Sequence, residues 1–145
     1  MKRWRSIAAL SAIILAACTI FSVAQSDNSE YVVVANKQMQ GNTIARAALK
    51  GIYLREVKNW GNSGGEIIPV DLSTAKGFYQ NLFGKSYVQM QAYWLSMRIK
   101  YSVELPISKN DAESVKQFIA DNKGAIGFLK NGDVDDRVKI LKIVN

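Results

Sequence analysis

Histidine is absent from this chain, and cysteine occurs once, at position 18. A lone cysteine forms no intrachain disulfide. Zinc sites built on Cys or His, cysteine nucleophiles beyond position 18 and every His-dependent triad are excluded with it. Acidic residues are also short, 12 Asp and Glu against 19 Lys and Arg, for a formal charge of +7. Lys2, Arg3 and Arg5 supply three of those charges at the extreme N-terminus, which leaves +4 spread along the remainder. A nucleic-acid partner therefore loses most of its support, and basic residues can favour an anion only locally.

What the N-terminus does have is the three-part pattern of a secretion signal. Three cations precede an uncharged apolar run from Ile7 to Ala17, and small residues stand at Ser22 and Ala24. Extended to Ala24, that run is about as long as a minimal membrane span of roughly 17 to 20 residues. It lacks a charged stop flank and ends in small residues, which favours cleavage. Two cuts fit. Release after Ala24 makes residues 1–24 the signal. Leu15-Ala16-Ala17-Cys18 also resembles a bacterial lipobox, which would make residues 1–17 the signal and Cys18 a lipidated anchor. Against the second cut, Thr19 to Ala24 stays apolar where a lipoprotein usually carries a polar tether, and Cys18 also reads as a plain member of the apolar run. Residues 25–30 form a polar tether, and residues 31–145 suit one domain with a modest core.

Within that domain Tyr31 to Ala35 is a β-branched run that reads as a buried strand. Asn42 or Thr43 is placed to cap a helix whose Ile44, Ala47, Ala48, Gly51 and Ile52 share one face. Asn59 to Glu66 is a turn-rich loop, and Ile67 to Val70 a second strand that Pro69 assigns to a sheet edge. Three helices follow. The first starts near Ser73, carries Phe78, Leu82 and Phe83 inward and stops at Gly84; the second opens on the capping box Ser86/Gln89, with Val88, Ala92, Leu95 and Ile99 in one stripe. The third opens at Asn110 with Glu113 as its partner, buries Ala112, Val115, Phe118 and Ile119, and ends at Gly124. Strands at 125–129 and 138–143 complete an α/β pattern.

Five segments, in order, carry a resemblance. Ala48 to Trp60 (ALKGIYLREVKNW) resembles an "L-R-x-I-F-L-G-K-x-x-x-W" segment, and Ile68-Pro69-Val70-Asp71 a following "V-P-V-D" strand. Phe78 to Ser86 and Ala92-Tyr93-Trp94 resemble "F-Y-x-x-x-L-G-K-S … A-Y-W" helices, and Gly124 to Phe128 a "G-A-I-G-Y" strand. Together these resemble the phosphate-binding-protein-like (PstS-like) domain of the type 2 periplasmic-binding family over about Tyr31 to Ile143. The resemblance implies a single periplasmic-binding-protein-like domain, a mixed β-sheet flanked by about four helices. It also implies a periplasmic, non-enzymatic binding function that needs no cofactor. The usual ligand is phosphate or another small oxyanion, for transport or sensing, and a membrane transporter or sensor is the expected protein partner. The alternative is a ligand-free accessory module docking on a membrane or signalling partner. Membrane contact comes only through the signal or a lipidated Cys18. Two departures stand out: Ile99 to Val103 replaces a Gly-rich "F-x-G-x-G" stretch, and the loop after Asp71 is shorter than an "S-G-T-R" ligand loop. Full-length receptors bind between two lobes, and this chain has about half their length.

The segment Asp71 to Lys76 is the most suggestive candidate site. It follows a strand and precedes a helix, where free backbone N–H groups favour an anion. Ser73 and Thr74 offer hydroxyl donors and Lys76 a charge, so these three are the expected ligand-binding residues. The competing reading is an ordinary N-cap beside an exposed lysine. Ser73 to Lys76 also spells the Ser-x-x-Lys motif of penicillin-recognising enzymes, without the Ser-Asp-Asn or Lys-Thr-Gly partners that chemistry uses. Asn131 to Asp136 lacks the distal Glu of a calcium loop and reads as a turn. The aromatics Tyr53, Trp60, Phe78, Tyr79, Tyr93 and Trp94 read as core rather than as a ligand cage.

Overall fold

The computed structural model describes residues 30–61 and 64–145. The expected signal, Cys18 and all but the last residue of the tether lie outside the described residues. Six strands and four helices follow in the order β1 (Tyr31–Ala35), β2 (Thr43–Ala45), α1 (Arg46–Tyr53), β3 (Ile68–Leu72), α2 (Gly77–Phe83), α3 (Tyr87–Tyr101), β4 (Ile107–Lys109), α4 (Ala112–Asp121), β5 (Ala125–Lys130) and β6 (Lys139–Val144). The strands form one mixed sheet in the order β2-β6-β1-β5-β3-β4. Only β1 runs against the rest, pairing antiparallel with β5 and β6, while β2–β6, β3–β5 and β3–β4 pair in parallel.

The expected α/β architecture is present, with two short strands the sequence reading omits. Residues 43–45 are β2, so neither Asn42 nor Thr43 caps α1; its N-cap is Ala45, with no side-chain bond. Ile44 drives this change, because it buries against the sheet in register with Ile143 instead of facing a helix. The helix inward face is correspondingly Leu49, Gly51, Ile52 and Tyr53. The other omission, β4, covers the far side of β3 and moves that strand off the sheet edge. Pro69 is tolerated because β4 flanks only Val70 to Leu72, so Pro69 has a ladder neighbour on one side alone.

Helix boundaries shift for local reasons. The chain beyond Leu72 first makes a turn, with Ala75 N–H donating to the Leu72 carbonyl at 3.0 Å and Phe78 N–H to Ala75 at 3.2 Å. The helix expected from Ser73 therefore begins at Gly77. Gly84 ends it in the left-handed region at φ 66°, a conformation glycine adopts without a Cβ penalty. The Ser86/Gln89 capping box of α3 forms in full. In α4 the cap is Asp111, one residue beyond the expected Asn110; its carboxylate accepts from Ser114 N–H at 2.7 Å, while Glu113 turns to Arg137 and Lys116.

Between the sheet and α1–α3 lies an aromatic core. Phe78 stacks on Phe128 at 3.7 Å between centroids, and Tyr53 and Tyr79 meet that pair edge-on at 5.4–5.8 Å. Such geometry adds about 0.5–1.5 kcal/mol per pair beyond the area buried. The other face of the sheet is covered by α4, whose Val115 and Ile119 are fully buried. Gly127 in β5 leaves room for them: a Cβ there would lie 3.0 Å from Ile119 Cδ1 and 3.3 Å from Val70 Cβ. Helix α3 joins the core through Met90 and Trp94, and its Trp94 and Tyr93 donate to the last carbonyls of α1, Tyr53 at 2.8 Å and Leu54 at 3.0 Å. Its other face, the stripe of Val88, Ala92, Leu95 and Ile99, points to solvent.

Candidate functional site

The carboxyl ends of the parallel strands β3, β4 and β5 lie along one edge of the sheet, the edge where open α/β sheets hold ligands. The turn from Ser73 to Lys76 follows β3 there. It brings the three expected residues together on one short segment, Ser73 half-buried and Thr74 and Lys76 exposed. Much of the expected donor set is already engaged. Ser73 N–H donates to the Lys109 carbonyl at 2.9 Å and its hydroxyl to Asn110 Oδ1 at 3.2 Å. Helix α2 has seven residues, and Lys76, its N-cap, contributes no side-chain cap bond. The ammonium of Lys109 lies 4.8 Å from the centroid of the Phe118 ring. Ser73 and Lys76 do not share a helical turn, since the helix starts beyond both, so the Ser-x-x-Lys geometry is not formed.

Directly beneath this turn is Asp71, which opens the candidate segment in the sequence but carried no assigned role there. Asp71 is 1 % exposed, inside β3. Three hydroxyls converge on its carboxylate: Tyr79 at 2.7 Å on Oδ1, and Tyr87 at 2.7 Å and Ser108 at 3.2 Å on Oδ2. A buried carboxylate is tolerated when it is hydrogen-bonded in this way. The tyrosines register the same environment. Burial, followed by the bond to Asp71, pushes the Tyr87 phenol up to about 12. Burial and the neighbouring Tyr53 and Asp71 push Tyr79 well above its ordinary value, and burial with Asp71 does the same to Tyr53. The cluster ties β3, β4, α2 and α3 together under the candidate turn. Its signal in the sequence was faint, because Tyr79, Tyr87 and Ser108 lie 8, 16 and 37 residues away.

On the opposite edge a groove of about 630 Å³ opens between the 38–40 turn and Trp60, Gly61, Gly64 and Gly65, with Lys123 and Gly124 in its wall. Trp60 Nε1 donates to the Gly124 carbonyl at 3.2 Å. Asn36 holds the adjoining turn: its buried amide donates to Ile119 and Ala120 carbonyls at 2.9 and 3.0 Å and accepts from Gln38 N–H at 2.9 Å. The Asn131–Asp136 stretch is a turn, as expected, with a 3-10 segment over Asn131–Asp133. Its Asp135 belongs to an ionic network with Lys116 at 2.9 Å and Arg137 at 2.6 Å. Glu113 completes the network, and hydrogen bonds from Arg137 and then Lys116 hold its carboxyl down at about 2.

A mixed sheet with one reversed strand and helices on both faces makes this an α/β domain with the periplasmic-binding-protein fold. No protein-family model matches the sequence, and no curated protein matches it. Solved structures do match. A structure of an ABC-type phosphate transport receptor from Vibrio cholerae is 20 % identical, with a TM-score of 0.56 over 79 % of this chain and 46 % of that one. A possible phosphate binding protein from Planctomyces limnophilus is 19 % identical, with a TM-score of 0.60 over 80 % and 42 %. A putative phosphate ABC transporter substrate-binding protein with bound phosphate, from Clostridium perfringens, is 18 % identical, with a TM-score of 0.56 over 79 % and 44 %. At these identities the likeness is one of fold, and this chain spans less than half the length of each of them. No described helix is long and apolar enough to cross a membrane.

Proposed function

We propose that residues 31–145 form a non-catalytic binding lobe, exported to the periplasm, that takes phosphate or another small oxyanion at the Ser73–Lys76 turn. The observation that carries this reading is the exposed turn at the carboxyl edge of three parallel strands, with Thr74 and Lys76 free to face a ligand, in a fold shared with phosphate receptors. One lobe grips from one side only, so the expected affinity is modest, about −4 kcal/mol or a dissociation constant near 1 mM. Titration calorimetry of residues 25–145 with phosphate and sulfate tests it. Saturable heat that disappears in the triple variant Ser73→Ala, Thr74→Ala, Lys76→Ala is the expected result; no heat and no thermal shift at millimolar anion refutes it.

One observation favours a second reading, an accessory module that docks on a membrane or signalling protein without a small ligand. Ser73 engages both its N–H and its hydroxyl within the protein, on Lys109 and Asn110, which leaves the turn fewer donors to offer an oxyanion. The same calorimetry separates the two readings. In either case the signal or a lipidated Cys18 delivers the domain to its compartment, and labelling with a radioactive fatty acid decides between the two cuts.

A further inference from the structure

The groove beside Trp60 has no part in either reading above. It lies at the amino ends of β3 and β5, the edge opposite the Ser73–Lys76 turn, and its volume of about 630 Å³ falls within the roughly 300–1,000 Å³ of small-molecule sites. Both walls are built before any ligand arrives. On one side the buried Asn36 fixes the turn: Met39 N–H donates to its carbonyl at 3.0 Å, and the Lys139 ammonium donates to the Met39 carbonyl. On the other, Trp60 N–H donates to the Gly65 carbonyl at 3.1 Å, and the indole Nε1 donates to Gly124. Only glycine fits at 64, where a Cβ would fall 1.6 Å from the Trp60 carbonyl oxygen and 2.3 Å from Trp60 Cβ. The half-buried indole is thereby held in place with its one polar group already engaged.

The remaining groups in the walls select the ligand class. Trp60 and half-buried Met39 give the groove its apolar surface. Exposed Gln38 and Gln40 flank it, and among the described residues neither side-chain amide has a hydrogen-bond partner, nor has the ammonium of exposed Lys123 an ion pair. No carboxylate lines the groove, so a cation finds no counter-charge there. A compact anion is disfavoured as well: Lys123 is the one charged residue in the wall, and it stands just past the C-terminus of α4, the negative end of the helix dipole. A wholly apolar ligand would take two amides out of water without replacing their hydrogen bonds. Each glutamine amide both donates and accepts, which is what a hydroxyl needs. The π face of an indole attracts the weakly positive C–H bonds of a saturated ring. A neutral sugar carries both features, hydroxyls around its rim and C–H bonds on its face. We infer that this groove binds a neutral saccharide, with one ring stacked on Trp60 and its hydroxyls bonded to Gln38, Gln40 and Lys123. The inference rests on neither reading of the Ser73–Lys76 turn, which lies on the other edge of the sheet, so an oxyanion there does not compete.

The test titrates the isotope-labelled chain, isolated from cells that export it, with cellotriose, maltotriose and chitotriose, and follows its backbone and indole N–H groups by two-dimensional NMR. Saturable shifts confined to Gln38–Gln40, the Trp60 indole, Gly65 and Lys123–Gly124 are expected, with a dissociation constant of about 1 mM for at least one of the three sugars. Trp60→Leu keeps an apolar side chain but removes the π face, and is expected to weaken that binding at least about tenfold. Because Trp60→Leu also deletes the bond to Gly124, Gln38→Ala with Gln40→Ala is the second variant. Both glutamine side chains are exposed and unbonded, so the thermal midpoint stays where it is while binding weakens at least about fivefold. Phosphate is expected to leave the groove signals in place whether or not it binds at the turn. No saturable shift with any of the sugars up to about 20 mM overturns the inference. Binding unchanged in the double glutamine variant, or shifts centred on Ser73–Lys76, overturns the site. Phosphate or sulfate moving the groove signals as strongly as the sugars do overturns the ligand class.

Discussion

Replacing Tyr79 by Phe isolates the contribution of the buried Asp71 cluster. The phenol is fully buried, and its hydroxyl donates to Asp71 Oδ1 at 2.7 Å. The ring itself packs against Tyr53, Phe78, Trp94 and Phe128, with centroids 5.3–5.9 Å apart, and none of that changes on loss of one oxygen. What is lost is a single hydrogen bond to an acidic group, about 1.5–3 kcal/mol. The Asp71 oxygen left behind is buried with no other donor on it, which puts the expected cost near the top of that range, about 3 kcal/mol. Tyr87→Phe removes a bond on the other oxygen, which keeps Ser108 at 3.2 Å and lies closer to solvent, so about 1–2 kcal/mol is expected. Both are measured by urea denaturation followed by tryptophan fluorescence, with Trp94 beside Tyr79 as the natural reporter. For a domain of this size the larger loss lowers the thermal midpoint by about 10–15 °C. In a double-mutant cycle Tyr79→Phe and Asp71→Asn are expected to couple. A Tyr79→Phe variant within about 0.5 kcal/mol of wild type would refute the reasoning, since surface substitutions cost no more.

Other predictions concern charge and backbone. Glu113 is held at about 2 by Arg137 and Lys116, below its ordinary 4.5, and Asp135 is held low by the same two cations. A depressed carboxyl contributes stability above its unfolded pKa and loses it as pH falls through the folded one, so stability should decline from about pH 4.5 towards pH 2. Arg137→Met should shrink that decline, as read from unfolding midpoints along a pH series. Tyr87 is raised to about 12, so its contribution is complete below pH 10 and fades as pH rises through 12; Tyr87→Phe should reduce the alkaline loss over that window. Gly124→Ala would drive a Cβ into the Glu66 backbone carbonyl, and circular dichroism melting should register a loss of about 2 kcal/mol or more, larger than a bare glycine-to-alanine change.

Much of this architecture was legible in local signals. The β-branched run at Tyr31–Ala35 and the short apolar run beginning at Ala125 are strands because β-branched and short apolar segments suit a sheet covered on both faces. Gly84 and the Ser86/Gln89 box end and begin helices through bonds within a few residues, which need no tertiary partner. The edge strands β2 and β4 were not legible. Three residues each, they exist through ladder bonds to β6 and β3, whose paired residues lie 99 and 37 positions away in sequence. The same distance hid the seat of Asp71.

The candidate site divides along the same line. By itself the sequence determined the residue types at the Ser73–Lys76 turn, the absence of histidine and cysteine chemistry beyond position 18, and the apolar stripe of Val88, Ala92, Leu95 and Ile99. The tertiary structure decided how those residues are used. It engaged Ser73 with the end of β4, buried Asp71 among three hydroxyls drawn from three elements, and turned the α3 stripe outward. Helical periodicity marks an apolar face but carries no information on which of two faces meets the core. Trp94 and Met90 settled that choice in α3, because the larger side chains and the indole bond to Tyr53 stabilise the inward packing more than the aliphatic seam can.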